Sequence, residues 1–320
     1  MNFGQNANIA VIIVNWNSGR FLRSCLTALE SQTLLPDQVI IADNASTDNS
    51  LPMTHEYQLP IKILRLSENT GFSYANNKAV ESLDDTIEWI VLLNADTEPD
   101  PGWLANLVEG AHKHPNFDFF ASTLLSMEEP SLYDGTGDRL FYSGLAKRHR
   151  YREGVKADLG SDEVFAPCAA AAMYRASAFR AVGGFDDSYF CYFEDVDLAF
   201  RLRLKGCKCL WVSNATVLHY GGGLTEHVSD TPVYYGHRNM VWNYFKNMPL
   251  PLLLGLLPFH IVANLATLLY YSFKGKRQTI FKAKKDAILG LPAIWAQRKD
   301  TQAKRISSWR VLQQLTPKLW

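Results

Sequence analysis

The feature that most constrains this chain is a fourfold alternation. Four apolar runs, each ending on polar residues and each followed by an amphipathic stretch, occupy roughly the first 115 of its 320 residues. Ile9 to Trp16 reads IAVIIVNW, continuous and β-branched, as a strand buried on both faces must be. Phe21, Leu22, Cys25, Leu26 and Leu29 then recur at helical spacing. DQVIIAD gives a second strand, after which Ser46 or Thr47 can cap a helix. IKILRL is a third, followed by a helix that Gly71 opens; EWIVLL is a fourth, followed by a helix with Pro101 in its first turn. Repeated strand–helix units predict an α/β fold built on a parallel, doubly wound sheet.

Sheets of that kind bind ligands beyond the carboxyl ends of their strands. The first strand ends at Asn15 and Asn17, the second at Asp43 and Asn44, the third at Glu68, Asn69 and Thr70, the fourth at Asn94 and Asp96. One polar strand end is ordinary turn chemistry; four along one rim predict a polar site.

Two later stretches carry acid–base and metal chemistry. In YFEDVDLAFRLRLKG, Glu194, Asp195 and Asp197 open an amphipathic helix with Leu198, Leu202 and Leu204 apolar and Arg201, Arg203 and Lys205 on the polar side. Carboxylates suit a helix N-terminus, yet adjacent ones exceed what capping needs, and a pair with divergent pKa values can supply a general base. In VLHYGGGLT, an apolar strand ends at His219 before three glycines. Asp96 and His219 could together hold Mg2+ or Mn2+, which takes carboxylate oxygens and substrate phosphates, Mn2+ accepting imidazole as well. The small residues Cys168 to Ala172 predict a close backbone approach, and the basic stretch RLFYSGLAKRHRYREG reads as a solvated loop or hairpin.

The net charge of zero hides an asymmetry. Lys246 to Trp320 holds thirteen Lys or Arg against two Asp or Glu, a balance of +11, and Met1 to Phe245 carries −11. The tail begins with 27 uncharged residues between Lys246 and Lys274, long enough to cross a bilayer, but three prolines are expected to break its first half. Basic residues beside Phe281, Ile288, Leu289 and Trp295 follow. That mixture predicts a helix lying in an anionic leaflet; a true span and plain packing onto the rest of the chain are the alternatives. Long aliphatic runs among the basic residues argue against nucleic-acid binding. The five scattered cysteines read as reduced thiols, and the N-terminus shows no signal-peptide pattern.

The chain resembles the inverting family-2 glycosyltransferases of the GT-A fold, rhamnosyltransferase-type bacterial members above all. The resemblance lies in VIIVNWNSGRFLRSCLTALESQT, VIIADNASTDNS, ENTGFSYANNKA, LLNADTEPDPGWL, VGGFDDSYFCYFEDVDLAFRLRLKG, LHYGGG and YYGHRNMVWNYFKNMP, over about residues 8 to 250. It implies a doubly wound, mainly parallel sheet flanked by helices, to which the basic, apolar tail adds an expected C-terminal helical membrane-associating extension. It implies that Asn15 and Asp43 contact the donor nucleotide, with Asn44 beside them, and that Asn69, Gly71 and Asn76 line the nucleotide-sugar site. Asn94-Ala95-Asp96 stands where the family carries its DXD motif, with Asn94 in place of the first Asp, so Asp96 is its one charged metal ligand. Asp195 matches the general base, Glu194 orients it or meets the acceptor, and His219 matches a late metal-binding histidine.

The expected reaction moves a sugar from a nucleotide-diphosphate donor, dTDP-rhamnose or a UDP-hexose, to a glycan hydroxyl on a polyprenyl-diphosphate lipid. The expected location is peripheral, on the cytoplasmic face of the inner membrane. A nucleotidyltransferase and a non-catalytic membrane-associated binding protein are the rivals. NWNSGRF lacks a triphosphate-binding loop, and Asp43, Asp96 and Asp195 are all present. The expected division is a catalytic domain over 1–245, its donor half about 1–125 and acceptor half about 126–245, and a basic, apolar helical segment over 246–320.

Overall fold

The computed structural model describes residues 8–157, 159–221 and 230–319. Gly222 and Gly223 of the glycine run lie outside the described residues. Strands β1 (Ile9–Asn15), β2 (Gln38–Asp43), β3 (Ile61–Arg65) and β4 (Trp89–Leu93) lie parallel in the order β3-β2-β1-β4. Helices α1 (Gly19–Glu30) and α3 (Trp103–Lys113) bury one face of these strands, through Leu22, Leu26, Trp103 and Leu107. Helix α2 (Gly71–Glu81) packs Ala75 and Ala79 on the other. Two covered faces explain why the runs are continuously apolar rather than alternating.

Past β4 the sheet becomes mixed. It contains β5 (Thr97–Pro99), β6 (Phe119–Ser126), β7 (Tyr133–Gly135), β10 (Asp162–Val164), β11 (Ala171–Arg175) and β12 (Cys209–His219). Strand β11 runs antiparallel between β4 and β6, and β12 lies parallel beside β6. Strands β8 (Asp138–Leu140) and β9 (Ala146–Arg148) form a hairpin from the basic stretch. After α4 (Ala176–Ala181), helix α5 (Glu194–Leu204) covers the α2 face.

Three expectations need correction. No α-helix follows β2; a single 3-10 turn, Pro52–Glu56, stands there. Ser46 Oγ accepts from Asn15 instead of capping, and Asn17 Oδ1 takes the Thr47 and Asp48 amides at 2.8 and 3.2 Å. Helix α5 is not amphipathic, because Arg201 and Arg203 are buried. Arg201 pairs with Asp197, and Arg203 Nε donates to the Phe165 carbonyl at 2.6 Å. Third, the prolines do not break the tail. Pro251 falls in the first turn of α7 (Leu250–Phe273), where no intrahelical partner is lost. Pro258 sits inside an unbroken helix whose Leu253, Leu256, His260 and Ala263 are packed on the body.

Helices α6 (Thr231–Asn247), α7, α8 (Arg277–Thr301) and α9 (Ser308–Gln314) complete the chain. Helices α6, α7 and α9 and the residue after α9 share the main core through Tyr244, Leu253, Leu256, Val311 and Leu315, and α8 packs Ala287 and Ile294 against Met240 and Trp242 of α6. His260 Nδ1 lies 2.7 Å from the Ser143 carbonyl and its ring stacks on Tyr244. Thr316 pairs with the β8–β9 hairpin, donating to the Leu140 carbonyl and accepting from the Tyr142 amide. The opposite face of α7 and α8 stays bare: Leu254, Ile261, Val262, Leu265, Leu269, Ile288 and Leu289 face solvent, and Phe273 at the turn is 89% exposed.

Asp197 ties α5 to α6. It is fully buried and accepts from Arg201 Nε at 2.8 Å, Lys246 Nζ at 2.9 Å and Asn247 Nδ2 at 2.7 Å. Burial opposes its charge, but Arg201 and Lys246 outweigh burial and hold the carboxyl at about 2. Asp197→Ala leaves the buried Arg201 without its carboxylate and Lys246 with Asp186 alone, and should cost about 3–5 kcal/mol, measured by denaturant unfolding. The folded value lies below the ordinary 3.8, so this stabilisation is complete above about pH 4 and disappears as pH falls through about 2. A stability unchanged in Asp197→Ala would refute the role given to this carboxylate.

Candidate active site

The rim of β1 to β4 is a lattice of amides. Asn15 Nδ2, fully buried, lies 3.0 Å from Asp43 Oδ1 and 2.9 Å from both Ser46 Oγ and Ser50 Oγ. Asn44 Oδ1 accepts from the Thr70 amide at 2.8 Å, while its Nδ2 donates to Asn69 Oδ1 at 2.9 Å and to the Gly71 carbonyl at 3.2 Å. Asn69 Oδ1 also accepts from the Gly71 amide. These residues lie together as the sequence predicts, and they set loop shape. Asn76 Nδ2 is spent on the Phe72 carbonyl of its own helix. The half-buried Asn94 side chain makes no hydrogen bond among the described residues; its carbonyl accepts from Thr97 Oγ1 at 2.6 Å.

A short antiparallel pairing builds the next part. Strand β5 follows Asp96 directly and pairs Thr97 with His219 at the end of β12. This brings His219 Nε2 to 3.7 Å from Asp96 Oδ1, both side chains being about 95% buried. Among the described residues Asp96 Oδ1 has no hydrogen-bond partner. On its other side His219 Nδ1 lies 2.7 Å from Asp134 Oδ2, and Arg148 forms an ion pair with the same carboxylate. Burial disfavours the His219 cation, but the hydrogen bond to Asp134 and the negative charge of Asp96 outweigh it and raise the imidazole pKa. Asp134 is lowered although burial opposes this, because His219 and Arg148 stabilise the anion.

Among the described residues no group of three or more His, Cys, Asp or Glu side chains forms a metal site. The chemistry nevertheless fits a divalent cation shared with a substrate. A buried carboxylate oxygen lacks any donor and faces an imidazole nitrogen whose partner atom is already engaged.

The acid pair opens α5. Asp195 Oδ1 accepts from the Val196 amide at 2.8 Å and Oδ2 from the Ala169 amide at 3.3 Å. The small-residue stretch thus lets backbone approach this carboxylate. Burial raises Asp195, while those amides and the Arg148 charge hold the rise back. Glu194 is pushed well above the usual carboxylate range by burial and then by Asp195. Both acids are raised, Glu194 the further, and the amides of Ala169 and Val196 favour the anion of Asp195. Asp138, on β8, is pushed up to about 7 by burial and by the Asp195 charge.

Sequence reasoning missed Asp134, Asp138 and Arg148. The hairpin turns Arg148 inward, where it pairs with Asp134 and approaches Cys168 Sγ at 3.6 Å. The signal was present in YDGTGD, two aspartates four apart among glycines. A cavity of about 540 Å³ between β10, the end of α5 and α9 holds none of these groups; the chemistry identifies the site, not the volume.

A mixed α/β sheet carries a carboxylate–imidazole pair and a buried acid pair beyond its strand ends. The sequence model of glycosyl transferase family 2 matches residues 10–183, more than half of the chain, and the chain belongs to that family. The N-acetylglucosaminyl-diphospho-decaprenol L-rhamnosyltransferase of Mycobacterium tuberculosis is 26% identical, over 73% of this chain and 86% of that one. Rhamnosyltransferase WbbL of Escherichia coli is 29% identical over 47% of this chain and 61% of that one. In solved structures, GalNAc-T7 with UDP, GalNAc and Mn2+ matches with a TM-score of 0.63 and 15% identity, over 82% of this chain and 51% of that one. S. aureus TarS 1–349 with UDP-GlcNAc matches with a TM-score of 0.57 and 15% identity, over 95% of this chain and 90% of that one. These matches share the GT-A fold that the sequence resemblance implied.

The tightness of the rim is measurable at Gly71. Its φ is +84°, and a Cβ there would lie 2.5 Å from the Phe190 ring and 2.6 Å from the Phe190 carbonyl oxygen. Gly71→Ala should lower stability by about 1–3 kcal/mol through backbone strain and that clash. An unchanged melting temperature in Gly71→Ala would mean that the α2 start and the Phe190 loop are not in contact.

Proposed function

We propose that this chain is an inverting, metal-dependent glycosyltransferase that moves a sugar from a nucleotide-diphosphate donor to a hydroxyl of a polyprenyl-diphosphate-linked glycan, in cell-surface polysaccharide synthesis. One observation carries the reading: the Asp96–His219 pair and the Glu194–Asp195 pair meet through Arg148, which bonds Asp134 on one side and acts on Asp195 on the other. The donor favoured is dTDP-rhamnose, because two of the relatives bear the name rhamnosyltransferase; a UDP-hexose is the next choice.

Asp43, Asn15 and Asn44 lie where the nucleotide would rest, with Asn69, Gly71, Asn76 and Asn94 shaping the sugar side. Asp96 and His219 would hold the divalent ion, Mg2+ or Mn2+, whose charge would offset that of a leaving diphosphate. Asp195 takes the acceptor hydroxyl proton. The freed oxygen attacks the anomeric carbon, and the bond to the diphosphate breaks with its electron pair on the leaving oxygen. Protonated Glu194 donates a hydrogen bond to the acceptor or to Asp195 and adds no second negative charge. A single base and a single displacement invert the anomeric centre.

The tail supports peripheral docking on the cytoplasmic face of the inner membrane. Helix α7 is long and apolar enough to cross a bilayer, with mean hydropathy 2.0. One flank of it, however, is packed on the body through Leu253, Leu256 and Ala263. A helix held this way offers lipid one face, and Lys274, Arg277, Lys282 and Lys285 are placed to meet anionic headgroups.

Transfer of radiolabelled rhamnose from dTDP-rhamnose to a polyprenyl-diphosphate-linked N-acetylglucosamine, with Mg2+ or Mn2+, is the direct assay. Asp195→Asn should reduce turnover by about 10²–10⁴-fold with donor affinity little changed. Asp96→Ala or EDTA should abolish transfer. Full activity under either treatment would sink the metal assignment, and normal turnover in Asp195→Asn with a dead Glu194→Gln would exchange the roles of the two acids.

Docking has its own test. Binding to anionic vesicles should weaken with salt without vanishing, since apolar insertion persists when charge is screened. A protein that stays in the supernatant with every vesicle type would end the membrane reading.

A further inference from the structure

The segment leading into the acid pair is strained. Phe190, Tyr192 and Phe193 have φ of 63°, 63° and 69°, positive values that non-glycine side chains rarely adopt and that persist only where surroundings enforce them; Phe190 sits in a tight turn closed by the Cys191 amide on the Tyr189 carbonyl at 2.7 Å, and Phe193 is left-handed. Glu194 and Asp195 follow at once. What enforces it is on α6, outside the residues that the family model matches.

Asn239 is fully buried. Its Nδ2 donates to the carbonyls of Tyr189 and Cys191, both at 3.0 Å, and of Tyr192 at 2.6 Å. Its Oδ1 accepts from Arg238 Nε at 2.9 Å. The Arg238 guanidinium donates to the Ser188 and Tyr189 carbonyls at 3.0 and 3.2 Å and lies 4.0 Å above the Trp242 ring. The remaining carbonyl, of Phe190, accepts from the Phe72 and Ser73 amides at the start of α2. Every carbonyl from 188 to 192 is thereby held, most of them by two adjacent side chains.

We infer that Asn239, with Arg238 behind it, is a positioning residue for the catalytic acids. It acts through the positive-φ segment and fixes where α5 begins, and so where Asp195 meets an acceptor. The inference rests on the reading of Asp195 as base. Stability alone would not require such an arrangement: a glycine at 192 would adopt that backbone without a clamp.

The test uses the full chain. Asn239→Ala should lower kcat by about 10²-fold, as expected when a reacting group is misplaced by about 1 Å, with donor affinity within about threefold of wild type. The acid limb of the pH–rate profile should move, because the environment of the Glu194–Asp195 pair changes. In a Tyr192→Gly background the same substitution should cost at least about fivefold less, since glycine relieves what the clamp opposes. Arg238→Lys keeps the charge over Trp242 but loses the guanidinium fork; it should lower kcat in the same direction and serves as the readout if Asn239→Ala does not fold. The inference is overturned if kcat stays within about threefold of wild type, if kcat and donor affinity fall together with the folded fraction, or if the Asn239 penalty is equal in both backgrounds. Should Asp195→Asn be fully active while Asn239→Ala is impaired, the base assignment fails and this inference with it; should Asp195→Asn be dead and Asn239→Ala normal, only the inference fails.

Discussion

One guanidinium organises this site. Arg148 stands among Asp134, Asp138, Asp195 and the Cys168 thiol, and their charges raise its own pKa against the opposing effect of burial. Several carboxylates this close could not all be anionic without it. Its ion pair, with the His219 hydrogen bond, favours the Asp134 anion, and its charge adds to the Ala169 and Val196 amides in restraining the rise of Asp195. Arg148 thus acts on both halves of the site.

The parts of this arrangement that the sequence revealed are those with a local signature. The apolar runs of β1 and β4 named themselves, because only a doubly covered strand tolerates such composition. Asp96 was legible as a strand end, and Glu194–Asp195 as acids beyond what a helix start uses. Arg148 was not, because a cation in a basic, aperiodic stretch looks the same whether it faces water or three carboxylates; the pairing of β8 with β9 decides which. Asn239 was hidden for a related reason, since a buried helix asparagine shows its purpose only when the carbonyls opposite are known. The prolines of α7 misled because their effect depends on position: Pro251 falls where no hydrogen bond exists to lose.

The comparisons and the geometry divide the work. The family match covers residues 10–183, which span the sheet from β1 to β11 and the rim of β1 to β4 but not β12. The acid pair, His219 and α6 lie beyond it, so in this chain their roles rest on distances and burial. Helices α6, α7 and α9 are likewise part of the same core, through Tyr244, Leu256 and Val311, while α8 packs Ala287 and Ile294 with Met240 and Trp242 of α6 in a smaller cluster.

The seating of the C-terminal segment on the hairpin also sets a timetable. Ser143 Oγ donates to the Leu319 carbonyl across 176 residues of sequence, and Thr316 extends the strand pairing that frames Arg148. A ribosome adding about 5–20 residues per second needs roughly 10–35 s to cover that span. During this interval β1 to β4 are already made, and α7 emerges before the hairpin has its partner. A nascent chain thus displays its most apolar helix while its arginine is still unframed, and the last residues to be made are the ones that close the frame around it.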